Sequence, residues 1–187
     1  MSLAMGNKLL EGIRVLDFTD FLAGPYVTMY FADMGADVIK VENLRSGGNF
    51  VRRARPLEPE TGRSMYFGNL NRNKRGVALD LKTPEGKSLF TELVKSADIL
   101  IENNRPGVME RLGFGYKSCS EMNPRLIYAS ISGFGQYGPN SYKPGYDLIA
   151  QAMGGSMSIT GWPGMEPTRA GMAIGDIIAG LNVGIAV

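Results

Sequence analysis

The chain has 187 residues, with 20 Lys and Arg against 18 Asp and Glu, one cysteine and no histidine. These counts exclude a Ser-His-Asp triad, a His-ligated metal and an imidazole proton shuttle, and the single cysteine excludes an intrachain disulfide or a thiolate zinc cluster. The 44% apolar and 20% charged composition is that of an ordinary globular protein of one domain, whose acid, base or nucleophile must be a carboxylate, Lys, Tyr, Ser or Cys119.

In chain order, residues 1–9 read as a tail, with Met1–Ala4 a remnant of an expression vector ahead of a native start at Met5. Lys8 and Glu11 break any apolar core, so no signal peptide is expected. Ile13–Phe18 is a strand candidate, Pro25–Met34 has helical apolar spacing, Gly35 stops it, and Asp37–Glu42 is a second strand. Residues 45–75 read mostly as irregular loop. Gly76–Leu81 is a third strand. Thr83 then caps a helix with Pro84 at its first position, which ends near Ser96 and carries Leu89, Phe90, Leu93 and Val94 on one face. Asp98–Glu102 is a fourth strand, Val108–Leu112 and Tyr116–Met122 are short helices, and Leu126–Ile131 is a fifth strand. Strands alternating with helices predict an α/β fold: a Rossmann-like, doubly wound, mainly parallel sheet.

Residues 133–171 are rich in Gly and Pro and read as a linker or a loop-rich binding surface. Met172–Val187 is almost wholly apolar, so a buried helix is expected. No apolar run is long enough for a membrane span, and a cytoplasmic protein is expected.

Charge is uneven. Residues 45–75 hold eight basic and two acidic groups, while the flanks are slightly acidic. This segment is a solvated loop or a landing strip for a polyanionic small molecule, since Arg matches phosphate bidentately. The net charge of +2 gives no reason to expect nucleic acid. Gly133–Gly138 matches G-x-G-x-x-G after a strand, but Pro139 and Pro144 follow where a helix must open, so dinucleotide binding is not expected there. Gly86-Lys87-Ser88 lacks the first glycine of a phosphate loop, because Leu81 occupies its place. Asp176 is the unusual residue: a lone carboxylate in an apolar segment, flanked by Gly175 and Gly180. It is either a helix N-terminal carboxylate satisfied by backbone N–H groups, or a nucleophile at the mouth of a site whose glycines admit a ligand. Cys119 reads as a structural thiol.

Leu10–Phe18, Ala23-Gly24-Pro25 and Gly35–Glu42 resemble the opening of class III CoA-transferases, the CaiB/BaiF type that includes formyl-CoA transferases. Asn71–Arg75, Leu79–Lys82, Glu102–Gly107, Arg111–Gly113, Gly133–Gly135, Tyr146-Asp147 and Gly175-Asp176 continue the resemblance in order. It implies that residues 10–187 are the N-terminal, CoA-binding large domain of a longer two-domain chain whose small domain lies outside this sequence, and that two full-length chains interlock as a homodimer. It implies an aspartate nucleophile, here Asp176, passing through an aspartyl anhydride and an aspartyl-CoA thioester. The partners would be an acyl-CoA and a small carboxylic acid, with no metal and no permanently bound cofactor.

The resemblance places CoA contacts at Leu22 and Ala23, at Leu79 and Lys82, at Asn103, Asn104 and Arg105, and at Arg111, Lys143 and Tyr146. On charge alone Arg105 and Arg111 read equally well as surface cations. Many relatives carry Arg where this chain has Asn43, and Arg45 is the candidate replacement. A 2-methylacyl-CoA epimerase is the alternative within the superfamily, but it pairs Asp with His near the present Tyr146-Asp147, and this chain has none. A CoA-binding fragment without turnover is the other alternative. Phe21, Gln136, Tyr137, Met153 and Trp162 are expected to shape the pocket.

Overall fold

The computed structural model describes residues 8–187, so the expected vector remnant and the expected start at Met5 lie outside the described residues. Five strands form one sheet: β1 (Arg14–Phe18), β2 (Asp37–Asn43), β3 (Arg75–Leu79), β4 (Ile99–Glu102) and β5 (Ile127–Ser130). Their order is β3-β2-β1-β4-β5 and every pairing is parallel, with Val15 opposite Val38 on one side and Ile99 on the other. This is the expected Rossmann-like α/β fold.

A parallel sheet covered on both faces needs apolar side chains in both directions, and Ile99, Leu100 and Ile101 are all buried. Successive residues alternate between faces. Leu16, Ile39 and Leu100 pack with Phe90 and Val94 of α3 (Pro84–Ser96). Val15, Val38 and Ile101 pack with Val27 and Phe31 of α1 (Ala23–Asp33) on the other side. Each such side chain contributes about 1.5–3 kcal/mol on leaving water. The Thr83 side chain accepts from the Gly86 N–H at 3.1 Å, as its position before Pro84 predicts. Leu89 departs from the expected stripe and is exposed, because it sits about one helical step off the Phe90–Val94 line.

One expectation is corrected and two are refined. The basic stretch is mostly irregular, as expected, but it also contains two short 3-10 turns and α2 (Met65–Leu70), whose Ser64 side chain accepts from the Phe67 N–H at 3.1 Å. After α4 (Val108–Leu112) and α5 (Tyr116–Met122), the Gly-rich region contains α6 (Asp147–Met153) and a 3-10 turn at Ser156–Ile159. The last helix, α7 (Ile174–Ala186), is not buried all round. It lies on α1 with one side and leaves Ile178, Leu181 and Ile185 exposed. The contact is close because glycines face α1. A Cβ on Gly180 would lie 2.5 Å from the Ala23 carbonyl oxygen, and one on Gly184 would lie 3.0 Å from Val27. No helix among the described residues is long and apolar enough to cross a membrane.

Candidate active site at the switch point of the sheet

From β1 the chain runs to β2 on one side, and later crosses to β4 on the other. The loops leaving the carboxyl ends of β1 and β4 therefore diverge and open a crevice. A cavity of about 610 Å³ lies there. Leu22 and Ala23 line it from the β1–α1 turn, Asn103, Asn104 and Arg105 from the loop after β4, and Lys143 and Tyr146 from the segment before α6. Asp176 faces it from the first turn of α7. Lys82 and Arg111 lie elsewhere: with Lys87 they line a second depression of about 460 Å³ between the start of α3 and α4. The Leu79 side chain is in the core and lines neither cavity.

Asp176 is half-buried and makes no hydrogen bond among the described residues, although it sits at a helix N-terminus. The cap comes instead from Asp147. Its Oδ1 accepts the Gly175 N–H at 2.8 Å and its Oδ2 accepts from Gln151 Nε2 at 2.7 Å, so α7 is capped by a residue of α6. Gln151 completes the tie: its Oε1 accepts the Ala170 N–H at 2.9 Å. Burial, and then the negative charge of Asp147, push the Asp176 carboxyl above its ordinary value of 3.8. Burial, and then the Asp176 charge, raise Tyr66 of α2. Gly180 faces the α1 backbone and not a ligand, whereas Gly175 lines the cavity, where a Cβ would meet Ala150 and Asp147.

The β1–α1 turn rests on a buried ionic cluster. Asp17 accepts from Lys40 at 3.1 Å, Lys74 at 2.9 Å and Thr28 at 2.7 Å, and all three charged side chains are almost fully buried. Burial alone would raise Asp17, but the Lys40 and Lys74 charges outweigh it and hold the carboxyl well below the usual range. Burial depresses Lys74 to about 8 against the attraction of Asp17. Lys40 Nζ also donates to the Thr19 carbonyl. Asp20 is gripped from the loop after β4: its N–H donates to Asn103 Oδ1 and Asn103 Nδ2 donates to its carbonyl, both at 2.7 Å. The Asp20 carboxylate accepts from Asn49 Nδ2 at 2.5 Å. Beyond this grip Phe21 has a φ of +61°. For an aromatic residue that conformation costs on the order of 1–3 kcal/mol and persists only where its surroundings fix it.

Other expectations meet different surroundings. The basic segment is largely consumed by ion pairs: Arg45 with Asp80, Arg52 with Glu42, Arg72 with Asp33 and Arg75 with Asp37. Arg45, the candidate replacement for the missing Arg, is engaged by Asp80, while Arg53, Arg55 and Arg63 are exposed and carry no ion pair among the described residues. Asn43 instead caps a 3-10 turn by accepting the Arg45 N–H at 3.0 Å. No helix opens after the Gly133–Gly138 match until Asp147. Tyr137 and Trp162 are 88% and 80% exposed, and neither lines the cavity, nor does Gln136, whereas Phe21 and Met153 do. Cys119 is buried in the core, which pushes its thiol up to about 11. Sequence reading missed Asp147 as the cap and the Asn103–Asp20 clasp, because both join segments far apart in the chain; the Tyr146-Asp147 pair was the only signal pointing there.

The profile of CoA-transferase family III matches residues 10–187. The chain is 47% identical over 177 residues to a succinate–glutarate CoA-transferase of Agrobacterium fabrum, covering 92% of this chain and 44% of that protein. It is 45% identical over 173 residues to an acetyl-CoA:oxalate CoA-transferase of Acetobacter aceti, covering 91% and 43%. The crystal structure of a CAIB/BAIF family protein from Brucella suis matches with a TM-score of 0.91 at 42% identity, covering 96% of this chain and 48% of that one. The chain therefore spans less than half the length of these relatives.

Proposed function

The chain belongs to CoA-transferase family III, and on that premise we propose that it carries the nucleophile of an enzyme moving CoA from an acyl-CoA to a small carboxylic acid. One observation carries the reading: Asp176 presents a carboxylate without a hydrogen-bond partner among the described residues to a 610 Å³ cavity at the switch point. That size lies in the range of small-molecule sites. A carboxylate stripped of hydrogen bonds and raised in pKa is more nucleophilic than a solvated one, and the cavity lets a thioester carbon approach within about 3–3.5 Å.

In the proposed reaction an Asp176 oxygen attacks the thioester carbonyl, the C–S bond breaks and CoA leaves as thiolate. The thiolate attacks the aspartyl carbonyl of the resulting anhydride and expels the donor acid as carboxylate, leaving an aspartyl-CoA thioester. An acceptor carboxylate reverses both steps and leaves with CoA. No net proton is transferred, which fits a site without histidine. Arg105 and Lys143 on the cavity rim, and Lys82 and Arg111 at the second depression, are the proposed partners of the CoA phosphates. Leu22, Ala23, Asn103, Asn104 and Tyr146 would line the path of the pantetheine arm, and Leu79 would contribute at most its backbone. The named relatives act between succinate and glutarate or on oxalate, so a small dicarboxylate is the acceptor class to test first.

The test is Asp176→Ala in the full-length protein, assayed with succinyl-CoA and a panel of dicarboxylic acids. Transfer should fall by more than about 10⁴-fold, as for other removed nucleophiles. Retained transfer would exclude Asp176 from the role.

A further inference from the structure

The β1–α1 turn holds an aromatic side chain in a backbone conformation that most residues avoid, directly on the wall of the cavity that Asp176 faces. Nothing in the local sequence Thr19-Asp20-Phe21-Leu22 demands a positive φ, and glycine or asparagine would adopt it at lower cost. The conformation is imposed from outside. Lys40 holds the Thr19 carbonyl, Asn103 takes both backbone groups of Asp20, and Asn49 takes its carboxylate. Four groups from β2, from the loop that follows it and from the loop after β4 thus converge on two residues and leave the third strained. The result is a fixed ring: Phe21 lies 5.7 Å from Tyr146 in an edge-on contact and 6.3 Å from Phe50. It is 44% exposed, so the ring is not there to fill the core.

We propose that Phe21 is a specificity-determining residue, the rigid wall that meets the carbon chain of the acyl group while its carbonyl is at Asp176. This inference rests on the transfer reading above. The acyl chain extends from a carbon held against Asp176 and must occupy the same cavity, which the cations Arg105 and Lys143 also line. A wall whose two preceding residues are held by hydrogen bonds yields less to an added methylene than a mobile loop would. An apolar wall of this kind discriminates chain length by about 10–200-fold per methylene.

The experiment uses the full-length protein with acyl-CoA donors from acetyl-CoA to hexanoyl-CoA, together with succinyl-CoA and glutaryl-CoA. Hydroxylamine is added as trap, and the readout is the rate of CoA thiol release in the single trapped turnover, above the release without enzyme, which gives kcat/KM for the acylation step, so that no acceptor needs to be known. Phe21→Gly accepts the positive φ and removes the ring; Phe21→Leu keeps apolar bulk. For Phe21→Gly the ratio of kcat/KM for the longest over the shortest donor should rise about 10-fold or more, and Phe21→Leu should return it toward wild type. An unchanged ratio, or a loss that scales every donor equally, overturns the proposal. Wild-type protein that releases no trapped CoA from any donor contradicts the transfer reading itself, and so separates the two failures.

Discussion

Asp176 and Asp17 show how differently the same side chain is treated a few residues from one cavity. Asp17 is surrounded by two buried lysines and a threonine, and its folded pKa is depressed. Its contribution to stability is therefore complete above the ordinary Asp value and is lost only as the pH falls through the depressed one. Asp17→Asn leaves Lys40 and Lys74 buried without their counter-ion and should cost about 3–5 kcal/mol in urea unfolding near neutral pH. Asp176 is raised instead, by burial and then by Asp147. Its charged form is the disfavoured one, so transfer should fade as the pH drops through a value above 3.8. Asp147→Asn removes the second cause, and the acid limb of the kcat/KM profile should move to lower pH; an unmoved limb would assign the shift to burial alone. The anomaly of Asp176 was legible, because a single charge in an apolar run must have a reason. The strained φ of Phe21 and the cap supplied by Asp147 were not, since each is decided by groups dozens of residues away.

At the scale of elements, local chemistry was readable wherever the sequence punctuates itself. Thr83-Pro84 starts α3 and Gly35 ends the turn after α1, as their residue types predict. Short helices without an apolar period, such as α2 and α6, were hidden inside stretches judged only by Gly, Pro and charge. The apolar composition of α7 was read as burial on all sides, but its glycines mark contacts with two neighbours only: Gly175 with α6, and Gly180 and Gly184 with α1. The contact with α1 sets the depth of Asp176, because α7 carries the proposed nucleophile in its first turn. Gly180→Ala would force a methyl against the Ala23 carbonyl, and Ala23 itself lines the cavity. The expected outcome is a loss of about 1–3 kcal/mol in thermal or urea unfolding, together with lower kcat, since α7 must shift away from the crevice. Stability lost with kcat intact would show that α7 can move without displacing Asp176.

For the molecule as a whole, alternation of strands and helices was enough to predict a parallel, doubly wound sheet, and the order β3-β2-β1-β4-β5 then fixes where a ligand can enter. Which residues share that crevice was legible in part. Leu22, Asn103 and Asp176 meet there, whereas Lys82 and Arg111 gather at a separate depression. The basic middle segment reads as a solvated loop or a landing strip for a polyanionic small molecule, and most of its cations are tied into pairs that hold the sheet edge and its loops. The proposed function therefore rests on one carboxylate and the frame around it. The most direct measurement is peptide mapping of the full-length protein quenched with hydroxylamine during turnover of an acyl-CoA it uses. A hydroxamate on the peptide containing Asp176, absent from Asp176→Ala, is the result predicted here; undiminished CoA transfer with no modification of that peptide would contradict it.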